Sequence, residues 1–291
     1  MNNRREVLEL ITYTALCYTA ITALVHLLKT MNVDPQQAMI AVSYVPTASA
    51  TAVDLVVKRR VEIWKYVKPL IKKPQLAIPT SLAIPWITWA IALAVATALG
   101  VDVRGPLVEP LHEPSKVLDT ATFIATTLSA SLLNTAVVIG EEVAWRGYMY
   151  VKLRRALSKY RETPLETPLH STVVGAIWSL WHTPMILNYR LNYPTTGATG
   201  LLVQTPLMIA VSTVMKVLRD EMGFLPCALV HATYNTLAPY MYLSTPLPDI
   251  HSPSTGTLAL TAWTATAAIT HTVHRAKTRR KQHKPQRENR K

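Results

Sequence analysis

The chain has 291 residues, 49% of them hydrophobic and only 16% charged, with a formal net charge of +13. That balance excludes an ordinary soluble globule, and apolar runs of about 18 residues or more, each long enough for a hydrocarbon core of roughly 30 Å, recur along nearly the whole length. The net charge would fit nucleic acid, but the position of the basic residues matters more than their sum.

In chain order, Arg4 and Arg5 precede an apolar segment, Val7 to Leu28, interrupted by Glu9. It is long for a signal peptide and is expected as a retained first helix. Ala38 to Val57 is a weaker span containing Pro46 and Asp54, the latter expected as an ion-paired end residue. Lys58 to Lys73 is a basic loop, Leu76 to Leu99 the third span, and Val101 to Lys116 a proline-containing loop. His112-Glu113 there does not continue into a zinc-protease HExxH motif. Residues 117–151 are too long for one upright span, since a helix of that length measures about 50 Å, so the segment is expected to tilt, to break near Gly140 or to begin outside the membrane. Ser171 to Tyr189, Gly200 to Leu218, Phe224 to Leu243 and Gly256 to Val273 complete eight spans, and the basic tail from His274 to Lys291 is expected to be disordered.

The expected fold is therefore an all-α polytopic membrane protein with about eight transmembrane helices. Of the 30 lysines and arginines, 25 fall on one side of it and 4 on the other, which places both termini in the cytoplasm and assigns the positive charge to topology rather than to nucleic acid. Cys17 and Cys227 lie in apolar segments and are expected as buried hydrophobes. No internal repeat suggests a transporter.

Glu141, Glu142 and Arg146 stand at the end of the long fourth segment, and ionisable residues at membrane depth mark a functional site by default. His182 falls roughly 16 Å into its span, and His231 and Asn235 roughly 10 and 16 Å into theirs, so the groups can meet. Glu142 with Arg146, Trp178 with His182, and His231 with Asn235 are each four residues apart and share a helix face. Arg146 is expected to neutralise Glu142 as a supporting pair, leaving Glu141 to activate water with His182. His231 and Asn235 would supply oxyanion donors, a set that suits peptide-bond hydrolysis. Trp145 and Trp178 read as packing. His26, His170, His251, His271 and His274 are given no role.

The ordered trio Glu141-Glu142-xxx-Arg146-Gly147, Trp178-xxx-His182 and His231-xxx-Asn235 resembles the signature of the CPBP intramembrane proteases, whose eukaryotic members are the type II CAAX prenyl endopeptidases. Trp178 departs from the phenylalanine common in that family. The resemblance spans residues 117–243, a catalytic membrane core between motif-free N-terminal helices (1–116) and a last helix (244–273) with its tail (274–291). It implies a membrane protease with a conical cavity open to the cytoplasmic side, in the cell membrane. Glu141 and His182 would activate water, His231 and Asn235 would stabilise the oxyanion, and Glu142 and Arg146 would support them. The implied substrate is a membrane-associated or lipidated protein, prenylated CAAX-type proteins included. Glu141, His182 and His231 would also make a His₂Glu zinc set. Asparagine is a poor zinc ligand and no HExxH is present, which favours water activated by glutamate without a cofactor. Two alternatives keep the helices without proteolysis: a membrane scaffold or bacteriocin-immunity-like protein, and a proton or small-ion relay.

Overall fold

The computed structural model describes residues 3–161 and 163–282, and these form helices with no strand among them. In chain order the main helices are α1 (Asn3–Thr30), α2 (Pro35–Val42), α3 (Val45–Lys58), α4 (Pro74–Ala98), α5 (Val117–Glu142), α6 (Tyr150–Ala156), α7 (Glu166–Trp181), α8 (Thr183–Tyr189), α9 (Leu201–Met222), α10 (Leu225–Leu243) and α11 (Thr257–Gln282). Five stretches are long and apolar enough to cross a membrane: Arg4–Thr30, Pro35–Lys58, Pro74–Ala98, Val117–Ala156 and Gly197–Met222. The chain is an integral membrane protein. The other three expected spans are helical but are shorter or more polar than those five.

Three departures from the sequence reading have local causes. The second span is two helices, because Pro46 has no N–H to give and crowds the preceding turn, so the path bends at Ser43 and Tyr44. The fifth is also two, jointed at His182, where Pro184 starts α8. The fourth does not break at Gly140. It passes from α5 through a π-helical turn, Val143–Met149, into α6. Gly140 instead permits a close approach: a Cβ there would lie 2.7 Å from the Ser43 carbonyl oxygen and 2.7 Å from the Tyr44 ring. Tyr44 donates to the Ala136 carbonyl at 2.5 Å and Thr47 donates to that of Gly140, which fixes the α2–α3 bend against α5.

The tail is a correction too. Residues 274–282, expected to be disordered, continue α11 as helix, and residues 283–291 lie outside the described residues. Asp54 is ion-paired as expected, 2.9 Å from Lys58, and it also accepts from the Tyr66 hydroxyl at 2.8 Å.

Where apolar surfaces gain little from leaving lipid, helices hold together by close packing and internal polar bonds. Both devices occur. Gly175 brings α7 against α9 so tightly that a Cβ would sit 2.5 Å from the Ile209 Cα. Near the N-terminal end of α1, buried Lys152 binds Glu6 at 2.8 Å and also Glu9, tying α1 to α6. Replacing Gly175 with leucine is expected to lower stability by at least about 1–3 kcal/mol, through overpacking against backbone that cannot move aside. Thermal unfolding of the purified protein in detergent measures it, and an unchanged midpoint would show that the α7–α9 contact is not rigid.

Candidate active site

The site begins with the backbone of α5. Glu141 and Glu142 are its last two residues, both fully buried, and they point apart because neighbours on a helix are about 100° round from one another. Each carboxylate meets different partners. Glu142 Oε1 lies 2.8 Å from Arg146 Nη1 and 2.9 Å from His231 Nδ1. The guanidinium of Arg146 also lies 4.2 Å from the centre of the Trp178 ring, a cation–π contact in a desolvated place. The expected pair is therefore present, and His231 joins it.

Glu141 accepts a hydrogen bond from Trp178 Nε1 at 2.9 Å and a longer one from Trp145 Nε1 at 3.4 Å, both on Oε2. The Ser43 hydroxyl lies 3.3 Å from Oε1 but 2.8 Å from the Met39 carbonyl, and with a single proton it serves the carbonyl first. Trp178 is thus the main donor to Glu141. Its own carbonyl lies 2.8 Å from His182 Nδ1. A carbonyl only accepts, so Nδ1 carries the proton and a neutral ring leaves the Nε2 lone pair free. One residue orients both the carboxylate and the imidazole.

His182 and Asn235 reach a cavity of about 590 Å³, walled also by Ser43, Asn134, Val138 and Tyr242. Asn235 is exposed there, while His231 is buried behind it with its ring 5.1 Å from that of Trp178. The six expected residues therefore divide. Two face the cavity, and Glu141, Glu142, Arg146 and His231 form a polar cluster behind the wall. Sequence reasoning missed Trp178, Trp145 and Ser43 as partners of Glu141. The available signal was spacing, because Trp145 is four residues after Glu141 and Trp178 four before His182. Ser43 comes from the motif-free N-terminal region and carried no signal.

The zinc set does not fit this arrangement. Glu141 is engaged by two indole N–H groups, His231 Nδ1 is engaged by Glu142, and among the described residues no group of three His, Cys, Asp or Glu stands as a metal site.

The cavity rim is held by Asp249, in the loop between α10 and α11. Its carboxylate accepts from the amides of Thr195 at 2.6 Å and Thr196 at 3.0 Å, and from the Thr196 hydroxyl, tying this loop to the one after α8. Burial alone would raise its pKa, but the hydrogen bonds from Thr196 and Thr195 hold it down to about 2.

These features define a class: an integral membrane protein with a buried carboxylate–histidine cluster behind a cavity. A family model described as Rce1-like type II CAAX prenyl endopeptidase matches residues 122–237, a stretch that contains all six site residues. No curated protein and no solved structure matched the chain.

Two outcomes are expected from this geometry. Trp178→Phe keeps a ring over Arg146 and a carbonyl for His182 but removes the main donor to Glu141, at a cost of about 1.5–3 kcal/mol in unfolding free energy. Adding Glu141→Gln should recover part of that loss, and strictly additive losses in the double mutant would refute the coupling. Asp249 has a folded-state pKa below its unfolded value of 3.8, so its contribution is present above that value and fades as the pH falls toward 2. Asp249→Asn should therefore be less stable than wild type near pH 6 but approach it near pH 3, read from unfolding midpoints at each pH.

Proposed function

We propose that this protein is an intramembrane endopeptidase that hydrolyses a peptide bond of a membrane-associated protein with water activated by Glu141 and His182. The observation that carries the reading is the shared anchor on Trp178, which holds the carboxylate of Glu141 and presents the free Nε2 of His182 to a cavity inside a membrane bundle. A prenylated CAAX-type protein is the substrate that the family description names.

In the proposed reaction a water enters beside His182 and gives a proton to the Glu141–His182 pair as its oxygen attacks the scissile carbonyl. The bond to the carbonyl carbon forms as the carbonyl π pair moves onto oxygen. Asn235 Nδ2–H, which is exposed in the cavity, is the first donor assigned to that oxyanion. Nδ1 of His231, buried behind Asn235, points at Glu142, so a second donor from this ring would be Nε2–H of its doubly protonated form. Collapse of the intermediate breaks the C–N bond, and the leaving amine takes the proton that water gave up. Arg146 pairs with Glu142 and does not touch the substrate.

Cleavage of a membrane-anchored peptide by purified protein tests this. Glu141→Gln and His182→Ala are each expected to lower kcat by 10²-fold or more, the range for a lost general base. Asn235→Ala is expected to lower it by about 10²–10³-fold, the range for one oxyanion donor. Wild-type rates surviving in Glu141→Gln and His182→Ala together would rule the mechanism out.

A further inference from the structure

The bundle has a second, larger cavity, of about 1120 Å³, which shares no lining residue with the one at His182 and Asn235. Eight lysines and arginines line it, against four carboxylates. What it can bind depends on how much of that positive charge the protein itself neutralises.

All four carboxylates are engaged. Glu6 lies 2.8 Å from Lys152 and 3.2 Å from Arg155, Glu166 lies 3.5 Å from Lys216, Asp220 lies 2.6 Å from Lys216, and Glu221 lies 2.9 Å from His274 Nδ1. Two of the eight cations are engaged as well: Arg155 on Glu6, and Arg219 on the backbone carbonyls of Tyr66, Lys68 and Arg146. Lys68, Lys72, Arg154, Arg161, Arg275 and Arg279 remain, and none of them forms an ion pair among the described residues. Lys72 and Arg154 meet only neutral acceptors, the Asp220 carbonyl at 2.9 Å and the Tyr150 hydroxyl at 3.2 Å.

The six come from the loop before α4, from α6 and the residues after it, and from α11. Basic residues that only mark a membrane side would be scattered over solvated loops, but these converge from parts of the chain that are distant in sequence. On α11 the convergence follows helical phase. His271, His274, Arg275, Thr278 and Arg279 have the three-and-four spacing of one face and line the cavity, whereas Lys277 and Arg280, exposed on the same helix, do not. His271 adds a buried Nδ1 without a hydrogen-bond partner among the described residues. Like charges gathered in a concave site repel one another until an anion enters, and low-dielectric walls strengthen its attraction.

We propose that this cavity is a binding site for a phosphate-bearing anion. Arginine forks match phosphate oxygens two at a time, and lysines add point charges. Basic pockets between membrane helices suit acidic phospholipid headgroups, and a soluble phosphate offers the same oxygens. The site stands whether or not the protein hydrolyses peptides.

Two measurements on the purified full chain in detergent test it. Native mass spectrometry follows retention of phosphatidic acid against phosphatidylcholine, and thermal unfolding follows stabilisation by sodium pyrophosphate against sodium chloride at equal ionic strength. Arg275→Gln with Arg279→Gln is expected to weaken binding of the phosphate ligand by about tenfold or more, as is Lys68→Gln with Lys72→Gln should the first pair fail to fold. Lys277→Gln with Arg280→Gln removes the same charge from the same helix away from the cavity and is expected to leave binding unchanged. Selective retention of phosphatidic acid assigns the site to a lipid headgroup, and stabilisation by pyrophosphate alone assigns it to a soluble phosphate; both uphold it. No preference for either ligand over its control, or a loss in the cavity pairs no greater than in the Lys277 and Arg280 pair, overturns it.

Discussion

Two ionised carboxylates cannot sit side by side in the middle of a membrane bundle unless each has its own partners, and that requirement shapes the structure around α5. Glu142 takes Arg146 and His231, a charge-balanced cluster whose rupture from one side would cost about 3–5 kcal/mol because it leaves a buried charge alone. Glu141 receives only neutral donors, chiefly the Trp178 indole. The asymmetry separates two neighbouring, chemically identical side chains: one is held by a cation and an imidazole, the other by neutral indole donors. The π-helical turn that follows belongs to the same arrangement, since such turns widen a helix at functional sites and here the widened turn carries both Trp145 and Arg146.

Much of this was legible in the residues. Spacing of four between Glu142 and Arg146 anticipated their ion pair, and the three motifs fall inside the stretch, residues 122–237, that the family model matches. What spacing could not show was depth relative to a cavity. His231 and Asn235 share a helix face, yet the first is buried on Glu142 and the second is exposed to the cavity. The prolines carried more than a span count could use. Pro46 and Pro184 do not merely interrupt helices: each break sets a polar residue at the site, Ser43 beside Glu141 and His182 at the joint between α7 and α8. Ser43 lies 98 residues from Glu141, so only the folded bundle could reveal it.

The charge count illustrates a different limit. Sorting lysines and arginines by side treats each as a solvated marker of topology, but Lys152, Lys216 and Arg219 are buried fasteners between helices. Arg219 is the clearest case. It reaches the carbonyls of Tyr66 and Lys68 in the loop before α4, and that of Arg146 in the π-helical turn, so it links the basic loop to the segment that carries Glu141 and Glu142. Such residues lie at the membrane end for mechanical reasons, and the topological signal survives because the remaining asymmetry is so large.

Trp178 carries the last step. Where the family commonly has phenylalanine, a ring alone can pack over Arg146, and packing is all that a conservative exchange would seem to alter. The indole adds an N–H aimed at Glu141, while the backbone carbonyl of the same residue fixes the tautomer of His182. Glu141 and His182, the two groups proposed to activate water, are therefore both referred to one residue on α7, the first through its indole and the second through its backbone carbonyl. A relative with phenylalanine must satisfy its carboxylate in some other way, with water or with a hydroxyl such as that of Ser43. Ser43 reaches Glu141 from the N-terminal helices, outside residues 122–237, so the setting of this carboxylate depends on a part of the chain that the family model does not match.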